Sequence, residues 1–122
     1  MGDLTNNISR HELLCACGCG LDSMDFETIE MVQDACDEFD CTVEITSAAR
    51  CYEYNRSDEV GSNDRSQHPR CRGMDCKFKG QNPKDVHEYL CNRYPNRFGF
   101  GLYKTFNHID SRTNGPARWD NS

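Results

Sequence analysis

The sequence has little of what marks several large classes of protein. Its 122 residues hold four prolines and one tryptophan, with no internal repeat and no low-complexity tract. No run approaches the ~20 consecutive apolar residues of a membrane-spanning helix. The stretch from Met1 to Leu14 is polar and lacks the apolar centre of a secretory signal. Positive charge is also short: 14 Lys and Arg stand against 20 Asp and Glu, a formal net charge of -6. Nucleic-acid binding is driven by phosphate neutralisation, and here the arginines are scattered among acids without a basic face. These absences argue against a repeat protein, a membrane protein and a nucleic-acid binder. They leave the expectation of a soluble chain, made in a cytoplasm, with neither membrane nor nucleic acid as partner.

What is present suits one domain spanning residues 1–122, long enough to bury a modest core. Hydrophobic residues at 36%, with six Phe and five Tyr, oppose disorder. Nine cysteines is an unusual number: Cys15, Cys17, Cys19, Cys36, Cys41, Cys51, Cys71, Cys76 and Cys91. An odd count without a secretory signal fits a disulfide framework poorly. Three states are open: reduced thiols packed as small hydrophobes, disulfides formed after release, or a structural zinc at Cys15, Cys17 and Cys19 with Cys51.

Apolar residues at Phe26, Ile29, Val32, Cys36 and Phe39 recur at helical spacing, predicting a helix from about Asp25 to Phe39. Thr42–Ala48 alternates Val43, Ile45 and Ser47 with polar neighbours, as a strand does. Cys51–Pro69 is polar and rich in Gly, Ser and Asn, and reads as a long loop. Gly73–Phe78 is a short strand. Asn82-Pro83 makes an N-cap and first-turn pair for a helix to Tyr94. Phe98–Lys104 and Phe106–Arg112 read as two strands around a tight turn, and the tail from Thr113 to Trp119 as loop. The expected class is α+β, a small, mostly antiparallel sheet flanked by helices.

Of the four histidines, His11 and His87 sit among acids and read as surface residues. His68 differs, because it ends the loop and precedes Asp75 by seven residues. His108 lies on a late strand able to pair beside Gly73–Phe78. Two imidazoles and a carboxylate around an open fourth position make a catalytic zinc arrangement. The ion lowers the pKa of its water towards ~7 and polarises a carbonyl.

Ser66-Gln67-His68, with Asp75 seven residues after the histidine and Asn107-His108-Ile109-Asp110 later, resembles the zinc motif of D-Ala-D-Ala carboxypeptidases and phage L-alanyl-D-glutamate endopeptidases. Hedgehog signalling domains are distant relatives of these by fold. Ile45-Thr46-Ser47-Ala48-Ala49-Arg50-Cys51 followed by Asn55 is similar to the strand and turn of that family. So are Ser9-Arg10-His11-Glu12-Leu13 with the cysteines that follow, Gly99–Tyr103, and Ala117-Arg118-Trp119. The resemblance runs from about Ser9 to Trp119, carried by the order and spacing of its pieces.

The resemblance implies a Hedgehog/DD-peptidase-like fold, with Zn2+ held by His68, Asp75 and His108. It implies that Arg50 grips a substrate carboxylate or an oxyanion, and that Ser66 hydrogen-bonds near the site. The implied reaction is hydrolysis of an amide bond in the peptidoglycan stem peptide by a phage-encoded enzyme. Such a protein, lacking a signal peptide, meets the wall after lysis or as part of a virion, alongside other virion proteins. The pattern also departs from the family. Cys71 and Gly73 stand where the motif has glycine and alanine, so the loop between His68 and Asp75 is not standard, and a Cys71 thiolate beside the metal is a minor alternative. Thr105 stands where many relatives carry the general base. Asp110 then has three roles open to it: orienting an imidazole, acting as base, or ligating the metal itself. The alternative to an enzyme is a virion structural or wall-binding module that keeps the fold without hydrolysis.

Overall fold

The computed structural model describes residues 4–14, 24–48 and 72–122. Helix α1 spans Phe26–Phe39 and buries Ile29, Val32 and Cys36 as their spacing predicts, together with Met31 and Ala35, while Phe26, expected on the same stripe, is exposed at the helix start. It stops where Asp40 turns left-handed at φ 47, and the Cys41 N–H reaches back to the Cys36 carbonyl at 3.1 Å. Helix α2 spans Pro83–Arg93, its first turn capped by the Asn82 side chain, which accepts from the Lys84 N–H at 3.0 Å. A 3-10 turn, Arg10–Leu13, adds Leu13 to the core.

Five strands form one sheet among the described residues: β1 Val43–Ser47, β2 Gly73–Phe78, β3 Gly99–Tyr103, β4 Asn107–Asp110 and β5 Ala117–Asn121. Their order is β1-β2-β4-β3-β5, antiparallel except for β3 and β5, which run parallel. The α+β class is as the sequence indicates. The tail differs, because residues expected to form loop add β5 to the edge of the sheet. Ala117 and Trp119 do alternate with Arg118 and Asp120, but the run is only four residues long and follows Gly115-Pro116, so the local signal for this strand is short. Its pairing partner β3 makes it, and the Arg118 guanidinium secures it by donating to the carbonyls of Phe98, Tyr94 and Arg97.

Side chains alternate between the two faces of a strand. One face carries Met74, Cys76, Phe78, Phe100 and Ile109, all buried with α1 and α2 in a single core. Both described α-helices therefore cover this one face. On the other face, register aligns Ser47, Asp75, His108, Gly101 and Trp119 in one row across all five strands. The next row is Gly73, Asp110, Gly99 and Ala117. Asp75, His108 and Asp110 all lie on this second face, and small residues flank them.

Helix α1 is tied to the strand ends by hydroxyl groups. Thr28 Oγ1 donates to the Arg72 carbonyl at 2.7 Å, and Ser111 Oγ donates to Asp25 Oδ2 at 2.6 Å. The four described cysteines, Cys36, Cys41, Cys76 and Cys91, are free thiols, and burial pushes Cys36 up to about 12. Buried Cys36 and Cys76 serve as small hydrophobes in the core. The other five cysteines lie outside the described residues, as does the expected Cys51–Pro69 loop.

Candidate functional site

Antiparallel pairing of β2 with β4 sets Asp75 opposite His108, thirty-three residues apart in sequence. Asp75 Oδ1 lies 2.9 Å from His108 Nδ1. Asp110, two residues along the same strand face, places Oδ2 2.7 Å from His108 Nε2. The ring is thus held at both nitrogens by carboxylates. Asp110 is fully buried, and His108 is 8% exposed.

Asp110 keeps its charge because Arg112 answers it with a fork. Arg112 Nε donates to Oδ1 at 2.9 Å, Nη2 to Oδ2 at 2.7 Å, and the Arg112 backbone N–H to Oδ1 at 3.1 Å. Burial pushes the carboxyl pKa up, but the hydrogen bonds and charges of Arg112 and His108 outweigh it and hold Asp110 well below the usual carboxylate range. Gly99, paired with Asp110, makes room for this: a Cβ there would lie 2.5 Å from Asp110 Oδ1 and Arg112 Nε.

Burial alone would lower the His108 pKa, yet the two carboxylates raise it above its ordinary value. The cause is a count of protons. A neutral imidazole has one N–H, and two carboxylate acceptors face its two nitrogens. When Nε2–H donates to Asp110, Nδ1 and Asp75 Oδ1 meet lone pair to lone pair. A cation must sit between them, either a proton or a metal ion. The donor set suits zinc, which takes His nitrogen at ~2.0–2.1 Å and carboxylate oxygen at ~2.0–2.2 Å. A carboxylate behind the far nitrogen is the usual support of a metal-bound histidine.

Two of the three expected metal ligands, Asp75 and His108, are therefore side by side, with Asp110 at the back of the imidazole. The third, His68, lies outside the described residues, together with Arg50, Ser66 and Cys71. Among the described residues no group of three or more His, Cys, Asp and Glu side chains is placed to hold a metal ion. Asp110 does not complete one, because its oxygens face Arg112 and the far nitrogen. Thr105 is exposed in the turn between β3 and β4, where the Tyr103 N–H bonds to the Phe106 carbonyl at 3.1 Å.

His87 departs from its expected surface position. It is half-buried on α2, its Nε2 lies 3.6 Å from Cys91 Sγ, and its Nδ1 is buried without a partner among the described residues. Burial first, and the Arg118 charge second, lower its pKa.

Sequence reasoning missed the wall beside His108. Trp119 lies with its ring centroid 5.2 Å from that of His108, and its Nε1–H donates to Tyr103 Oη at 3.0 Å. Tyr103 in turn stacks on Phe106 at 4.4 Å. The signals were the Ala117-Arg118-Trp119 match, which gave no place in the fold, and Gly99-Phe100-Gly101, since glycines inside a strand mark close approach of something else.

The described residues thus place one imidazole between two carboxylates on the second face of the sheet. Residues 6–110 match the family described as Peptidase M15, and the chain belongs to that family. It is a peptidase. No curated protein and no solved structure matches the chain.

Proposed function

We propose that the chain is a zinc-dependent peptidase acting on an amide bond of the peptidoglycan stem peptide, with His68, Asp75 and His108 as metal ligands. The observation that carries this reading is the approach of Asp75 Oδ1 to His108 Nδ1 at 2.9 Å while Asp110 occupies Nε2. That geometry leaves Nδ1 as the nitrogen for a cation.

Bound zinc would supply Lewis acidity and a water of lowered pKa. The residues of the chain do the rest. Asp110 holds the imidazole in the tautomer with its proton on Nε2, and Arg112 keeps Asp110 ionised for that work. Of the three roles open to Asp110, orientation is the one its contacts favour, because a carboxylate held so far below its usual range is a weak base. Arg50 would grip a substrate carboxylate or the developing oxyanion, for which a guanidinium fork is suited. Ser66 would hydrogen-bond beside His68. The resemblance of the motifs to phage and bacterial wall peptidases supports the stem peptide as substrate and a phage source. Contact with the wall then follows lysis, or delivery in a particle among other virion proteins.

Thr105 favours a second reading, a wall-binding or virion module that retains the fold, with or without the metal, but not hydrolysis, since threonine cannot take a proton from water. One experiment separates the two. Purified protein is assayed for zinc and then incubated with bacterial cell walls, and released peptides are identified. About one zinc per chain with stem-peptide fragments supports the enzyme. A fully loaded protein that releases none supports the module, and a protein prepared without chelator that holds no zinc overturns the zinc-peptidase reading.

A further inference from the structure

We propose that Trp119 is a positioning residue for the imidazole of His108, seated through the gap that Gly101 leaves in β3. The proposal rests on the reading of His108 as a metal ligand and deepens it.

Gly101 stands between His108 on β4 and Trp119 on β5 in the same cross-strand row. A side chain there would separate the two rings. With none, the indole reaches across β3 to lie 5.2 Å from the imidazole at an interplanar angle of 43°. The seat is close-fitting, since a Cβ on Gly101 would overlap Cε2, Nε1 and Cζ2 of Trp119. The indole is held from other sides as well. Its Nε1–H donates to Tyr103 Oη at 3.0 Å, and Arg112 Cζ lies 5.2 Å from its ring centre.

The bland alternative is an edge-strand aromatic covering apolar surface. Its place argues otherwise: Trp119 is on the polar face and takes no part in the core that α1 and α2 cover. Its ring neighbours are His108 and Arg112, the two residues that hold Asp110.

The physical need is specific. Contacts with the Asp75 and Asp110 carboxylates at its two nitrogens fix the imidazole within its own plane but resist tilting weakly. The lone pair of Nδ1 lies in that plane, so a tilt swings it away from the ion it is to meet. A ring packed on one flank blocks the tilt and keeps water from the Nε2–Asp110 bond. Loss of such support around a metal ligand costs on the order of 10- to 100-fold in affinity.

The test uses the full chain with Trp119→Ala, Trp119→Phe and Gly101→Ala, each checked for fold by far-UV circular dichroism. Zinc affinity is measured by chelator competition, and the nitrogen chemical shifts of the His108 ring are recorded in the metal-free protein. Trp119→Ala and Gly101→Ala should weaken zinc by at least ~10-fold and move the His108 nitrogen shifts towards those of a ring exchanging between tautomers. Trp119→Phe should restore most of both. Folded Trp119→Ala with wild-type affinity and unchanged shifts overturns the proposal. If Trp119→Ala does not fold, Gly101→Ala, which keeps the indole but removes its seat, decides by the same two measurements. If the wild type itself takes no zinc, the metal reading fails, and the nitrogen shifts alone decide whether Trp119 positions the ring.

Discussion

Asp110 and Arg112 form a two-pronged ion pair on one end of β4, with Nε on Oδ1 at 2.9 Å and Nη2 on Oδ2 at 2.7 Å. Because Arg112 follows Asp110 by two residues, the pair needs no distant element to assemble it. The Asp110 side chain is fully enclosed and that of Arg112 is 21% exposed, so water competes little for either. Oδ2 faces both Arg112 Nη2 and His108 Nε2, each at 2.7 Å, and that shared oxygen sets the ring.

Replacing the fork should therefore be costly. Arg112→Met keeps the aliphatic bulk but leaves Asp110 buried without its cation, a change worth about 3 kcal/mol or more. Chemical denaturation should show that loss. The double variant Arg112→Met with Asp110→Asn should recover part of it, because the uncompensated charge is gone. A single variant as stable as the wild type would show the pair to be idle.

Asp110→Asn alone tests the orienting role. The amide keeps the shape, but it can present its NH2 to Nε2 and stabilise the wrong tautomer. Zinc affinity should fall on the order of 10- to 100-fold, with the fold retained. If affinity holds while stem-peptide hydrolysis falls by ~10² or more, Asp110 is the proton acceptor instead.

Gly99→Ala should injure the site without touching any ionisable group. Its Cβ would lie 2.5 Å from Asp110 Oδ1 and from Arg112 Nε, so the fork must open or the strand must shift. Strain of this kind typically costs about 1–3 kcal/mol. Gly80→Ala is a suitable control for space, since no atom lies within 4 Å of a Cβ there, although its φ of +77 carries a strain of its own. Zinc affinity should drop in Gly99→Ala and stay level in Gly80→Ala.

Alkaline pH should weaken the packing of α1 on α2. Tyr94 Oη donates to Asp34 Oδ2 at 3.1 Å, and Tyr89 Oη donates to the same carboxylate at 3.2 Å. Burial first, and then the Asp34 charge, push Tyr94 up to about 12 from its ordinary 10. The folded pKa lies above the unfolded one, so the contribution is whole below pH ~10 and is lost as pH rises towards ~12. Discounted for the part-exposed setting, it amounts to about 1 kcal/mol. Denaturation midpoints measured from pH 8 upward should fall more steeply for the wild type than for Tyr94→Phe.

Much of this architecture could be read from local pattern. Ile29, Val32 and Cys36 announce α1, Asn82-Pro83 starts α2, and the antiparallel class brings Asp75 and His108 together once β2 and β4 are recognised as neighbours. Each of these signals lies within one element or one turn. Strand β5 was hard to read for the opposite reason: the alternation of Ala117 and Trp119 with Arg118 and Asp120 spans only four residues after Gly115-Pro116, and pairing with the edge of β3 is what extends the segment. The degree of enclosure of Asp110 was equally hidden, as it depends on Gly73, Gly99 and Arg112 meeting across three strands. His87 looked like a surface residue by its acidic neighbours Asp85 and Glu88, yet the helix turns it towards Cys91 and Arg118.

Trp119 is the only tryptophan in the chain, and its indole lies 5.2 Å from the imidazole of His108. Near-ultraviolet excitation at the red edge therefore addresses a single fluorophore, and that fluorophore sits against the residue whose state matters most. A protonated imidazole quenches a neighbouring indole, and a shift of the ring changes the emission wavelength. If His108 takes a metal as proposed, its uptake and chelation would be followed by intrinsic fluorescence in stopped flow, with no label and no engineered reporter.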